Sequence, residues 1–93
     1  MYLMISTYLK PLAEVDALRD AHLAFLGELE QRGLVVTAGR QDPPAGGVVI
    51  VDVPTATEAH ELFADDPYVK EGAAIYAATG FTPTRGALAD WKP

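Results

Sequence analysis

Residues 33–53 read GLVVTAGRQDPPAGGVVIVDV, and this stretch decides the fold. Residues 34–38 and 47–53 are rich in β-branched side chains, so each predicts a strand. Residues 41–46 between them, QDPPAG, are rich in the residue types that favour turns. We therefore expect a β-hairpin with a long tip in the middle of the chain.

The segment before this hairpin predicts a strand followed by a long helix. Residues 2–8, YLMISTY, combine β-branched and aromatic side chains, which is typical of a strand. Across residues 12–32 the apolar positions recur at helical spacing, and Gly33 follows where a C-terminal cap belongs. We predict one continuous helix over residues 12–32.

The segment after the hairpin repeats the pattern with a shorter helix. Thr55 and Glu58 form a capping box that begins this helix, and Pro67 ends it because the residue before a proline is pushed out of the helical region. Residues 73–82 predict the last strand, and residues 83–93 an irregular tail. The order β-α-β-β-α-β over residues 1–93 predicts a single α+β ferredoxin-like domain, with four antiparallel strands and both helices on one face.

Composition excludes several kinds of chemistry. The 93-residue chain is 49% hydrophobic and 22% charged, as globular domains are. It has no cysteine, which excludes disulfides, thiolate metal sites and a cysteine nucleophile. Its two histidines, His22 and His60, lack a third ligand at a recognisable spacing, so we expect no metal and no cofactor.

Charge and hydropathy limit the partners. Thirteen acidic and seven basic residues give a net charge of −6, which would repel a phosphate backbone, so we expect no nucleic-acid partner. No stretch approaches the roughly 20 apolar residues of a membrane span, and the amino terminus does not look like a leader. We expect a cytoplasmic protein without membrane association.

Two strands are apolar on both faces. Residues 48–51 read VVIV, and Leu3 and Ile5 alternate with Tyr2 and Met4. A water-facing antiparallel sheet normally alternates apolar with polar residues, so the second face of this sheet needs a cover. Since 93 residues provide no third layer, we predict a homodimer whose two sheets pack face to face.

His22 is the most informative single residue. It lies within the apolar stripe that Val15, Leu18, Phe25 and Leu29 define on the first helix, so it points toward the sheet. One interpretation is a core histidine whose ring nitrogens are hydrogen-bonded. The other is a proton-exchanging group placed in a partly desolvated cleft.

Asp66 is the second candidate, because Pro67 forces it into an extended conformation just beyond a helix end. It is either a solvated helix stop or a carboxylate turned toward a neighbouring element. If it accepts a hydrogen bond from His22, it fixes the tautomer and stabilises the imidazolium. The weaker candidates are substrate-binding residues: Arg19 and Arg40 for an anionic group, and Tyr68 and Ser6 as hydrogen-bond donors.

Five short elements spread along the chain form a specific combination. They are Arg19-Asp20-Ala21-His22-Leu23, Gly33-Leu34, Thr37-Ala38-Gly39, Asp66-Pro67-Tyr68-Val69 and Gly72. The combination resembles the YciI-like family of small proteins, within the dimeric α+β barrel superfamily. The resemblance extends to about Pro83 and departs at Arg40, where family members commonly have proline, and in the tail.

This resemblance implies a ferredoxin-like fold, a homodimer joined through its sheets, and an active site made of a His and an Asp, which correspond to His22 and Asp66. One related member eliminates chloride from a chlorinated hydroxyhydroquinone, and superfamily relatives include isomerases and cofactor-free monooxygenases. It therefore favours a cofactor-independent acid/base enzyme that acts on a small cyclic or phenolic molecule by elimination, dehydrochlorination or isomerisation. Two alternatives stay open: a non-catalytic metabolite-binding or accessory module, and a purely structural role for His22.

Overall fold

The computed structural model describes residues 1–92 and contains one antiparallel sheet of four strands. The strands are β1 (Tyr2–Tyr8), β2 (Val35–Arg40), β3 (Gly47–Val51) and β4 (Ala74–Gly80). Their order across the sheet is β2-β3-β1-β4, so the first strand of the sequence lies at the centre. This arrangement confirms the ferredoxin-like α+β fold, and the pairing of β2 with β3 confirms the central hairpin.

The helical segments are α1 (Leu12–Ala17), α2 (Arg19–Gln31), α3 (Ala56–Phe63) and α4 (Pro67–Lys70). The prediction of one helix over residues 12–32 is wrong at Leu18, where φ is −99° and ψ is −2°. The Leu18 amide donates to the Val15 carbonyl, three residues back, and this tighter turn ends α1. The break lets Val15 and Leu18 pack beside Tyr68 in a small apolar cluster.

The helices cover one face of the sheet and form the core there. Met4 in β1 and Phe63 in α3 are almost completely buried. They belong to a cluster that also contains Leu26, Leu29, Val49, Val51, Val53, Ala59 and Tyr76. Because side chains alternate along a strand, the residues next to these in sequence point to the opposite face.

That opposite face is apolar along three neighbouring strands. Ile5 is paired with Val48 of β3 and Leu3 with Ile50, while Ile75 of β4 lies opposite Thr7. Ile5 is 39% exposed and Ile75 is 59% exposed. Branched aliphatic side chains thus line the face of the sheet that no helix covers.

Trp91, after the last strand, returns to the end of the sheet that carries Tyr2. A short 3₁₀ turn occupies Gly86–Leu88, and the Trp91 indole N–H donates to Asp52 Oδ2 at 3.1 Å. Among the helices of residues 1–92, none combines the length and the apolar character needed to cross a bilayer.

Candidate functional site

Asp66 is positioned by the short connection between two helices. Its backbone is extended, with φ −62° and ψ 127°, and it is the N-cap of α4, in which Pro67 is the first residue. Its Oδ1 accepts the Tyr68 backbone N–H at 3.0 Å, a typical N-cap hydrogen bond. The side chain is fully buried, which excludes the solvated helix stop.

His22 meets this carboxylate from α2, 44 residues earlier in the sequence. Its Nδ1 lies 2.9 Å from Asp66 Oδ1 and 3.0 Å from Oδ2. The His22 side chain is 12% exposed, so the contact is shielded from bulk water while the ring still reaches a cavity. The structure therefore brings together the two residues that the sequence singled out.

A third residue, Tyr76, completes the contacts of Asp66 and was not predicted from the sequence. Its hydroxyl donates to Asp66 Oδ2 at 2.8 Å, from the helix-covered face of β4. Burial, and then the neighbouring Asp66 charge, raises the pKa of Tyr76 above the usual value for tyrosine. The one sequence signal for Tyr76 is the alternation of side chains along β4, which places Ala74, Tyr76 and Ala78 on its inner face.

The hydrogen-bond pattern indicates which ring nitrogen of His22 carries a hydrogen. Tyr68 and Tyr76 both donate to Asp66, so this side chain acts as an acceptor, as an ionised carboxylate does. The His22 Nδ1 within reach of both its oxygens must then carry the hydrogen. When the ring is neutral, its free lone pair is therefore on Nε2. Among residues 1–92, Nε2 has no hydrogen-bond partner. Nε2 is the atom that can accept a proton.

Tyr68 lies against the ring of His22. The two rings stack with centroids 4.0 Å apart and planes 8° from parallel. Burial, and then the neighbouring Tyr8, raises the pKa of Tyr68, while Arg40 and Arg19 partly oppose this shift. Tyr68 thus remains a neutral hydrogen-bond donor at physiological pH.

These side chains surround a cavity of about 250 Å³ between the helices and the sheet. An apolar cavity of roughly 150 Å³ is large enough to hold benzene, so this one has room for a single substituted ring. Asp66 lies behind His22 and does not itself line the cavity. The lining residues include every other site residue that the sequence predicted: Ser6, Arg19, His22, Arg40 and Tyr68.

Ser6 is almost completely buried on the inner face of β1. Its Oγ accepts the Gly47 backbone N–H at 2.7 Å, so the hydroxyl keeps its own hydrogen for a ligand. Gly46 is required beside it, because a Cβ at this position would lie 1.8 Å from the Ser6 carbonyl oxygen. The close approach of this loop to β1 therefore places Ser6 at the floor of the cavity.

Arg40 closes the cavity on the side of β2. Its Nε donates to the Tyr8 hydroxyl at 3.0 Å, and its Nη2 forms an ion pair with Asp16 of α1. These two contacts, with that to Asp16 the larger, raise the pKa of Arg40 further above its already high usual value. Tyr8 lines the same cavity and was not predicted as a site residue, because its alternation with apolar neighbours in β1 resembles ordinary core packing.

No group of three metal-ligating side chains occurs in the part of the chain that the structure describes. The second histidine, His60, is exposed on α3 and lies outside the cavity. The polar side chains that line the cavity carry one imidazole, four hydroxyl groups, two guanidinium groups and the carboxylate of Glu30.

Comparison with known proteins identifies a family and shows a likeness to a solved structure. The model of the YCII-related domain matches residues 1–82, which leaves the tail outside the match. Among curated proteins no sequence match was found. A solved structure of 5-chloro-2-hydroxyhydroquinone dehydrochlorinase from Burkholderia phenoliruptrix AC1100, in complex with 2,5-dihydroxybenzoquinone, is similar at a TM-score of 0.71 and 21% identity. The alignment covers 88% of this chain and 94% of that one, and at this identity it shows a shared fold.

Proposed function

Because the chain belongs to the family of YCII-related domains, we propose that it is a small cofactor-independent enzyme in which His22 and Asp66 perform general acid/base chemistry. The observation that carries this proposal is the hydrogen bond from His22 Nδ1 to the fully buried Asp66 carboxylate. That bond orients the ring, so that Nε2 remains as the proton acceptor in a cavity with room for one ring. A histidine with only a structural role does not need an open cavity beside its second nitrogen.

In the proposed reaction, His22 Nε2 removes a proton from the substrate and Asp66 stabilises the resulting imidazolium. The proton then returns to the substrate in an isomerisation, or passes to solvent in an elimination. One positioned acid/base group typically accelerates proton transfer about 10²–10⁴-fold, which suffices for a substrate that is already acidic. The size of the cavity and the dehydrochlorinase activity named for the structural relative both support a small cyclic or phenolic substrate, with dehydrochlorination as one of the possible eliminations.

The remaining predicted residues have binding roles in this proposal. Arg19 and Arg40 attract an anionic substituent, and their charges offset that of Glu30 at the cavity edge. Tyr68 provides a flat surface beside the reacting nitrogen, and Ser6 provides a hydrogen-bond donor at the floor.

The test measures chloride release from chlorinated hydroquinones, beginning with 5-chloro-2-hydroxyhydroquinone, by the wild type and by His22→Asn. Asn retains a donor to Asp66 but no proton acceptor of suitable strength, so kcat should fall by about 10²–10⁴-fold. His60→Asn is the matched control, because His60 lies outside the cavity, and it should keep the wild-type rate. Equal rates for His22→Asn and the wild type would remove the pair from the mechanism. Ligand binding without any turnover would favour the metabolite-binding module instead.

We also propose that two copies of this chain associate through the uncovered faces of their sheets. The support is the aliphatic surface formed by Leu3, Ile5, Val48, Ile50 and Ile75, in which Ile5 and Ile75 are exposed and the other three are half-buried in the single chain. A contiguous apolar surface of this kind marks an interaction site. In analytical ultracentrifugation at micromolar concentration, the wild type should sediment as a dimer and Ile5→Glu as a monomer. Leu12→Glu, on α1 and equally exposed at 39%, should stay dimeric, and a monomeric wild type would refute the proposal.

A further inference from the structure

The ring of Tyr8 packs against that of Tyr68, which is stacked on His22. The Tyr8 and Tyr68 rings meet edge to face, with centroids 5.9 Å apart and an angle of 83° between the planes. Tyr68 in turn stacks on His22. Tyr8 and His22 thus contact the same phenol ring from β1 and α2, and both line the cavity.

The Tyr8 hydroxyl is held by a fixed positive charge. Arg40 Nε donates to the hydroxyl oxygen at 3.0 Å. The guanidinium carbon also lies 5.6 Å from the centre of the Tyr8 ring. Asp16 binds the far side of the guanidinium, so Arg40 cannot easily turn away from Tyr8. Asp16, Arg40 and Tyr8 therefore form one connected unit built from α1, β2 and β1.

The direction of the hydrogen bonds in this unit determines what Tyr8 can do. Arginine has no acceptor atoms, so the Tyr8 oxygen accepts and its own hydrogen is left for another partner. Within residues 1–92 no protein acceptor takes that hydrogen. A hydroxyl that accepts a charge-assisted hydrogen bond is itself polarised into a stronger donor, and the effect grows away from bulk water.

We propose that Tyr8 is a catalytic residue that binds the substrate oxygen on which negative charge develops, while His22 removes the proton. This inference rests on the proposed function and deepens it by naming the substrate class: a cyclic ketone, or a phenol reacting through its keto form, with an acidic C–H next to the carbonyl. Besides attracting an anionic substituent, Arg40 is then a positioning residue for Tyr8, and Asp16 holds Arg40 in place.

The electrons balance in the elimination of hydrogen chloride from such a substrate. His22 Nε2 takes the proton on the carbon next to the carbonyl, and the C–H electron pair forms a C=C bond as the carbonyl pair moves onto oxygen. Tyr8 donates its hydrogen bond to this oxyanion. The electron pair on oxygen then re-forms the C=O bond. The electron pair of the C=C bond moves to form a new C=C bond to the adjacent carbon, whose bond to chlorine breaks and releases chloride. The products are the unsaturated ring, chloride and the proton on His22, which passes to solvent.

The experiment uses 2,5-dihydroxybenzoquinone, the compound bound by the structural relative, as a coloured probe of the oxyanion contact. The probe is titrated into the wild type, Tyr8→Phe, His22→Asn and Tyr2→Phe. Tyr2→Phe is the matched control, because Tyr2 lies on the same strand but outside this cavity. A hydrogen bond to the probe's oxyanion shifts its visible absorption band on binding. We expect this shift in the wild type and in Tyr2→Phe, and its loss in Tyr8→Phe.

Turnover provides the second measurement, on the substrate for which chloride release is observed. Loss of one oxyanion donor typically lowers kcat about 10²–10³-fold, and we expect this for Tyr8→Phe with little change in KM. Arg40→Gln should reduce both kcat and the band shift while Tyr8 is still present, which a merely structural role would not do.

The outcomes separate this inference from the proposed function. If His22→Asn loses turnover while Tyr8→Phe keeps both the wild-type kcat and the band shift, the role of Tyr8 is refuted and the acid/base function stands. If the wild type binds the probe without turnover, the band shift alone decides whether Tyr8 contacts the oxyanion. If the wild type neither binds the probe nor releases chloride, the substrate class and this inference are both refuted.

Discussion

The imidazole of His22 and the phenol of Tyr68 lie face to face, with ring centroids 4.0 Å apart and planes only 8° from parallel. The same short segment also holds the edge of the imidazole, because Asp66 accepts from both His22 Nδ1 and the Tyr68 backbone N–H. Residues 66–68 therefore fix the position and the plane of a ring that belongs to a different helix. Any change in this segment should be visible at His22.

Tyr68→Leu should release the His22 ring from its stack. Without the ring current of Tyr68, the Hε1 resonance of His22 should move downfield in a ¹H–¹³C correlation spectrum. Since Tyr68 is buried, loss of its ring should also lower the free energy of unfolding by about 2–4 kcal/mol. Tyr68→Phe keeps the ring and should leave the His22 resonance near its wild-type position. The exposed His60 provides the internal reference, and an unmoved His22 resonance in Tyr68→Leu would contradict the stack.

Tyr76→Phe should weaken the support of Asp66. The variant removes the hydrogen bond at 2.8 Å and leaves Oδ2 of a buried carboxylate with one donor fewer. A hydrogen bond to a charged group contributes about 1.5–3 kcal/mol, so urea unfolding should show a loss of this size. Turnover should fall as well, because the orientation of His22 depends on Asp66. Tyr2→Phe, whose hydroxyl is remote from Asp66, should change neither quantity, and a Tyr76→Phe protein as stable as the wild type would show that this bond is unimportant.

The fold should lose stability in alkali. Burial raises the pKa of Tyr76 and of Tyr68 in the folded state, so folding favours their protonated forms. The stabilisation from these groups is complete below the pKa of an unfolded tyrosine, about 10, and declines as the pH rises above it. The midpoint of urea unfolding should therefore be insensitive to these groups below that pH and should fall above it.

The same groups can be followed directly by phenolate absorbance. Of the four tyrosines in the chain, Tyr76 should ionise only together with unfolding. In Tyr76→Phe the alkaline loss of stability should be shallower. If every tyrosine ionised near its ordinary pKa while the fold stayed intact, this prediction would be wrong.

Gly46→Ala should disrupt the floor of the cavity. The new methyl group would lie 1.8 Å from the Ser6 carbonyl oxygen, so β1 and the loop before β3 must separate. We expect a lower melting temperature and weaker ligand binding. Gly27→Ala is the matched control: nothing lies within 4 Å of its Cβ, and Ala in the middle of a helix should raise stability by about 1 kcal/mol. A Gly46→Ala protein as stable as the wild type would contradict the close approach.

The four strands, the capped start of α3 and the positions of His22 and Asp66 follow from local patterns. Pro67 fixes an extended backbone at Asp66, and the apolar stripe around His22 directs that ring inward, so their meeting follows once the fold is recognised. Tyr8 and Tyr76 could not be singled out in this way. Each occupies an inward position of a strand where an aromatic residue is expected for packing, and only the contacts of its hydroxyl distinguish it.

The break at Leu18 also could not be read from the periodicity. The apolar residues keep their helical spacing on both sides of it, and the chain turns because Val15 and Leu18 pack against residues far away in sequence. Tertiary contacts of this kind override local preference. The ion pair between Asp16 and Arg40 depends on the same turn, which ends α1 next to β2.

The central place of β1 in the sheet has a consequence for synthesis on the ribosome. The first strand to emerge needs β3 and β4 as its neighbours, and Tyr2 is paired with Gly80. Until residue 80 has left the exit tunnel, β1 cannot complete its pairing with β4, and α2 has no Asp66 to meet until residue 66 has emerged. A truncated nascent chain therefore leaves one edge of β1 unpaired, and the His22–Asp66 contact cannot form before residue 66 has emerged.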